Sequence, residues 1–150
     1  SGGGALMPSW IPRIDTPRRV LEECTTAMVS APSALDLTFL NLGVDGRFLS
    51  VSCSIAAWVT FYASLAARAA DALRPFTDDP PLSAGVLLDL KFADGVTVLQ
   101  PAPGSTYSNA DLPVQQRVWA RVRTELAVPH SATVGVLALV EYDTVTSGVA

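Results

Sequence analysis

The sequence predicts a β-rich α+β domain, with three antiparallel hairpins and two helices packed in two layers. Three observations predict it. Two Asp-Gly pairs, Asp45-Gly46 and Asp94-Gly95, each sit between strand-like runs, a strong short-range hairpin signal because such turns need positive φ at their centre. Val118, Ala120, Val122, Thr124 and Leu126 alternate with Arg117, Trp119, Arg121, Arg123 and Glu125, a period of two rather than 3.6. The apolar positions Trp58, Val59, Tyr62, Leu65, Ala69 and Leu73 instead fall on one helical face, the signature of an amphipathic helix.

Taken in order, residues 1–16 are Gly- and Pro-rich without a period and read as an N-terminal arm that docks through Trp10 and Ile11. Thr16 followed by Pro17 is a cap residue followed by Pro at the first helical position, and Val20, Leu21, Cys24 and Met28 share a face, so a helix is expected over 17–29. Leu35, Leu37 and Phe39 alternate with Asp36 and Thr38, giving a first hairpin over 35–42 and 46–55. The longest helix is placed at 57–74, ending at Arg74-Pro75. A second hairpin follows at 86–92 and 96–100, and a third at 117–127 and 133–143, with Pro129-His130-Ser131-Ala132 as its connector. One globular domain over 17–145 and a tail over 146–150 complete the chain.

Composition bounds the function. Apolar residues make up 49% and charged residues only 16% of the 150, against about 25% charged in ordinary soluble domains. So few charges fit a surface partly buried against other subunits. The net charge is −4, which argues against nucleic-acid binding as the main role. Arg outnumbers Lys nine to one, and Arg is favoured at interfaces where Lys is depleted. Cys24 and Cys53 are far apart and fit no metal or redox spacing, so they read as buried free thiols, which leaves the compartment reducing or unconstrained. From Phe48 to Ala67 there are 20 residues without a charge. Their first part alternates as a strand does, so no membrane span is expected. The N-terminus has no basic region ahead of an apolar core, and no secretory leader is read there.

The sequence holds no Gly-rich phosphate loop, nucleophile elbow or paired-His zinc motif, so neither an enzyme nor an organic cofactor is expected. His130 reads as a solvated turn residue. Two acidic pairs, Asp78-Asp79 ahead of a Pro pair and Glu141 with Asp143 around Tyr142, are candidate ligands for a hard cation such as Ca²⁺ at subunit interfaces. Candidate interface residues are Trp10 and Ile11 of the arm, Trp58 and Tyr62 of the long helix, and the strand face of Arg117, Arg121 and Arg123.

The stretch "TELAVPHSATVGVLALVEYDTV" resembles the last two strands of the jelly-roll coat proteins of small icosahedral RNA viruses, and "AAWVTFYASLAARAADALRPF" resembles the helix after an early strand in those coats. The resemblance covers about 45 residues of the chain. It implies a sandwich or jelly roll, a virion location and partners that are copies of the chain or other coat subunits. Two departures stand against it. A basic N-terminal arm is absent, and the interval from Phe92 to Arg117 is too short for several more strands. The form expected is therefore an abbreviated jelly roll or sandwich, as a shortened, accessory or processed component, or else a capsid built on a different fold. A small α+β ligand- or partner-binding domain is the alternative, with a ligand near Trp58 and Tyr62 between helix 57–74 and the sheet. Repeated helix–hairpin units would also suit a clamp-like DNA-associated protein, which the negative charge disfavours.

Overall fold

The structure, a computed structural model, describes residues 17–74, 79–80 and 85–142. The arm, the tail, Trp10, Ile11, Asp78 and Asp143 lie outside the described residues. The strands are β1 (Arg18–Thr25), β2 (Ser33–Phe39), β3 (Asp45–Cys53), β4 (Ala57–Tyr62), β5 (Val86–Phe92), β6 (Val98–Leu99), β7 (Thr106–Ser108), β8 (Val118–Thr124) and β9 (Thr133–Tyr142). One short helix, α1 (Leu65–Ala70), follows β4. The chain is β-rich, as the sequence predicts, with two antiparallel sheets.

One sheet runs β1-β9-β3-β6, with β7 also on β3; the other runs β2-β8-β4-β5. Because β6 and β7 both pair with β3, they act as one interrupted strand. The chain then pairs first with last, second with second-last and so inward, which is the winding of a jelly roll. The short interval before Arg117 is therefore no obstacle, since this winding needs only that one interrupted strand there.

Several element-level expectations are corrected. Residues 17–29 form no helix. Strand β1 pairs with β9 along its length, from Arg18 opposite Val140 to Thr25 opposite Thr133. Val20 and Cys24 pack on the core while Glu22 lies between them on the same face. The i, i+4 spacing of Val20 and Cys24 suits either period, and a partner more than 100 residues away decides it. The long helix over 57–74 is also replaced. Ala57–Tyr62 is the central strand β4, as its β-branched and aromatic residues favour. Ser64 then starts α1 by accepting the Ala67 N–H at 3.0 Å, as an N-cap does.

None of the three predicted hairpins pairs with itself. Strand β2 pairs with β8 while β3 pairs with β9. Strand β5 pairs with β4 while β6 pairs with β3, and β8 and β9 lie in opposite sheets. Each turn carries the chain from one layer to the other. An arch between sheets and a hairpin within one show the same alternation, since in both every strand has one buried face. Gly95 does take positive φ, 83°, in a genuine turn closed by Val96 N–H to Ala93 O at 3.0 Å. Gly46 opens β3 instead. A Cβ there would stand 2.4 Å from both Leu139 O and Tyr107 Oη, so a side chain is excluded by contact, not by conformation.

The core lies between the layers. Leu37, Phe39, Val59, Phe61, Phe92, Ala120 and Val122 of one sheet meet Phe48, Val51, Cys53, Val134, Val136 and Ala138 of the other. Ring contacts tie the sheets together, with Phe48–Phe61 centroids at 5.1 Å and Phe48–Tyr107 at 4.9 Å. Burying each such aromatic or aliphatic side chain contributes about 1.5–3 kcal/mol.

Candidate interaction surfaces

The outer face of the β2-β8-β4-β5 sheet carries the sequence's most charged alternation. Trp119, Arg121 and Arg123 point away from the core, yet Arg121 and Arg123 are only 6% and 5% exposed. The segment from Ser64 to Arg74, α1 included, lies across them. Arg123 donates to the Asp71 backbone oxygen at 2.8 Å and to its carboxylate at 3.2 Å. Arg74 donates to Asp71 at 2.8 Å and reaches Asp89 at 3.3 Å. Thr60 donates to Asp89 at 2.6 Å, and Tyr62 donates to Asp71 in a very short hydrogen bond. Two arginines thus face two aspartates in a cluster shut away from water.

A second group adjoins it. Arg121 donates to Asp36 at 2.8 Å and to the Arg68 carbonyl at 2.8 Å. The Arg68 guanidinium lies 5.0 Å from the Trp119 ring centroid and donates to Leu37 O at 3.0 Å. At the α1 end, Asp111 accepts from Trp119 Nε1 at 2.7 Å, from the Leu65 N–H at 2.8 Å and from Asn109 at 2.7 Å.

The titration of these groups follows. Burial pushes Asp71 up, but the hydrogen bonds from Arg74, Tyr62 and Arg123 outweigh it and hold the carboxyl below its ordinary range. Burial alone would likewise raise Asp111, and its three donors pull it below the usual range. The two aspartates raise Arg74 against its own burial, and burial with the Asp71 bond raises Tyr62. On the inner face of the other sheet, burial and then Glu22 push Cys24 up to about 11. Burial also raises Cys53. Neither thiol is in a disulfide.

The second surface is apolar and open. Among the described residues Met28, Val96, Val98 and Val128 are exposed at one end of the sandwich, where the 26–32, 93–97 and 125–132 connections meet. Leu40, Leu65, Leu112 and Val114 are exposed at the other, with Leu112 at 95%, and Leu73, 94% exposed, stands on the 64–74 segment. A recess of about 350 Å³ opens at the first end between Ala56, Ala57, Phe92 and Leu126, rimmed by Lys91, Asp94 and Glu125.

The sequence-predicted residues separate in space. Tyr62 is fully buried and Arg121 and Arg123 nearly so; their partners belong to the chain itself, so they present nothing to a neighbour. Trp58 and Arg117 are half-buried, with Lys91 Nζ 5.8 Å from the Trp58 ring and the Arg117 guanidinium 5.8 Å from the Trp119 ring. The place foreseen for a ligand, beside Tyr62 under the 57–74 segment, is filled by the Arg74, Arg121 and Arg123 side chains. Asp79 is exposed, and Glu141 pairs with Arg47 at 3.6 Å. Among the described residues no three His, Cys, Asp or Glu side chains gather as a metal site. His130 is buried, not solvated. Its ring is hydrogen-bonded to Thr124 Oγ1 and Val128 O, both at 2.8 Å. Its backbone bridges to Val29.

Sequence reasoning missed Arg68, Asp71, Arg74, Asp89 and Asp111. The signal was an Asp inside an apolar run, as in Leu87-Leu88-Asp89-Leu90, because a carboxylate on a buried strand must be paired. Among the described residues no helix is long and apolar enough to cross a membrane. No protein-family model, curated protein or solved structure matches the chain.

Proposed function

We propose that the chain is a structural subunit of capsid type, packing against copies of itself or against other shell subunits. The fold alone does not carry this, because one fold serves many functions. The observation that carries it is where the large apolar side chains are left. The core is filled and the charged sheet face is covered by the chain's own strap. Leu112, Met28 and Val128 nonetheless stand in water at the two ends of the roll, and Leu73 on the strap itself. Large apolar side chains left exposed in this number support contact with other protein, and subunit contacts of closed assemblies reuse the same surface on every copy.

Light scattering across a concentration series tests the reading. It predicts a discrete mass that is a multiple of 15.8 kDa, with the assembly visible by electron microscopy. A chain that keeps its single-chain mass at the highest concentration overturns it. The recess by Phe92 and Leu126 favours a second reading, a domain binding a small apolar ligand. Leu126→Trp, which fills the recess, would then abolish uptake of an apolar fluorophore without changing the mass.

A further inference from the structure

We propose that the edge of β1 turned away from β9 is a self-complementary interface at which two copies join their sheets antiparallel around a two-fold axis through Leu21. The inference rests on the assembly reading and names one of its contacts.

Strand β1 ends its sheet, with β9 on one side and no described strand on the other. A strand edge with no described partner strand offers a row of backbone donors and acceptors to another strand. Its outward side chains are fixed by their neighbours. Thr25 Oγ1 meets Thr133 Oγ1 at 2.9 Å, and Glu23 lies over Gly135, 3.4 Å from where a Cβ would be. Arg19, Leu21 and Glu23 therefore share the outer face. Leu21 is 65% exposed, although it sits opposite Leu137 of β9.

Read along the strand, that face is Arg19, Leu21, Glu23: a cation, an apolar centre and an anion at equal steps. Antiparallel pairing about Leu21 places Arg19 of one copy opposite Glu23 of the other, twice, with the two Leu21 side chains in contact between them. Directly opposite side chains on antiparallel strands attract or repel according to charge. Neighbouring registers lack this match. A slip one way sets Glu22 opposite its own copy, although that carboxylate already accepts the Leu40 and Asn41 N–H groups at 3.0 and 2.9 Å. A slip the other way moves Pro17, which has no N–H, from the end of the ladder opposite Thr25 to a place opposite Glu23, and sets Leu21 against Arg19. Edge charges of one sign would repel a second copy; here both signs are present and pair in one register.

Two sets of variants in the full chain test this. Arg19→Glu or Glu23→Arg puts like charges in both cross-strand pairs and weakens association about 10- to 100-fold, read from mass against concentration. The double variant R19E/E23R exchanges the charges and restores it. The restoration separates a lost contact from a lost fold, and thermal unfolding of each variant checks the same point. In a Cys24→Ser background, Leu21→Cys forms a covalent dimer on mild oxidation, because opposite Cα atoms about 4.5–5.5 Å apart lie within disulfide reach. Wild-type chains that assemble while the single reversals leave mass unchanged, or while Leu21→Cys gives no dimer, overturn this interface and leave the assembly reading standing. A wild-type chain that is monomeric throughout overturns both.

Discussion

The outer faces of the two sheets both carry charge and meet opposite fates. On the β2-β8-β4-β5 sheet the outward residues are Trp119, Arg121 and Arg123, and the chain buries them beneath its own 64–74 segment. On the β1-β9-β3-β6 sheet the outward residues include Leu21, Leu137 and Leu139, and Leu21 is left largely in water. Alternation fixes which residues share a face, but polarity does not fix which face is covered. A charged face can be covered when counter-charges stand beside it, here Asp36 of β2 and Asp89 of β5, and another, Asp71, comes with the cover. On the other sheet the described residues supply no such cover for Leu21.

The largest effect that would break this contrast lies under the strap. Asp71→Ala leaves Arg74 and Arg123 buried without their shared carboxylate, and should destabilise the fold by about 3–5 kcal/mol in denaturant unfolding. A loss under 1 kcal/mol would mean that the strap does not hold the charges as described. The same group sets an acid limit. Asp71 and Asp111 both have folded-state values below their ordinary ones. Their contribution is therefore present in full above the unfolded value of about 3.9, and it is lost as the pH falls below that toward the folded values. Unfolding midpoints measured from pH 6 down to 2 should drop below about pH 4, and less steeply in Asp71→Asn.

A smaller effect is expected at the margin of the same face. Asp36 is half-exposed, with its side chain at 46%, so water can take over part of what Arg121 supplies. Arg121→Ala should cost about 1–3 kcal/mol by the same unfolding measurement, less than Asp71→Ala. Equal losses at the two sites would show that depth of burial does not grade the lock. The smallest effect belongs to the open face. Leu21→Ser should change single-chain stability by no more than about 0.5 kcal/mol, measured at a concentration where the chain is dissociated.

Period two was legible over 117–126, and the structure keeps it, with Val118, Ala120 and Val122 on the core. The Asp94-Gly95 turn was legible from its chemistry. Strand partners were not, because the signals around both Asp-Gly pairs and the 129–132 connector describe a reversal of direction, whether within a sheet or across the core. Strand β1 was misread because its apolar spacing fits a helix as well as a strand, and its partner β9 lies at the far end of the chain. The buried cluster was hidden for a similar reason. Arg123 meets residues contributed from positions 60 and 71, in separate segments, and only the packing of the strap brings them within reach. What sequence could show was that the chain has few charges; the structure shows that several of those few are spent inside.

The most direct test of the contrast is backbone hydrogen exchange of the full chain, followed residue by residue from dilute to concentrated solution. The account predicts that the alternate β1 amides turned away from β9 gain protection as concentration rises, while those of the 64–74 strap are protected to the same degree throughout. Protection of β1 that does not change with concentration while the strap exchanges freely when dilute would contradict it.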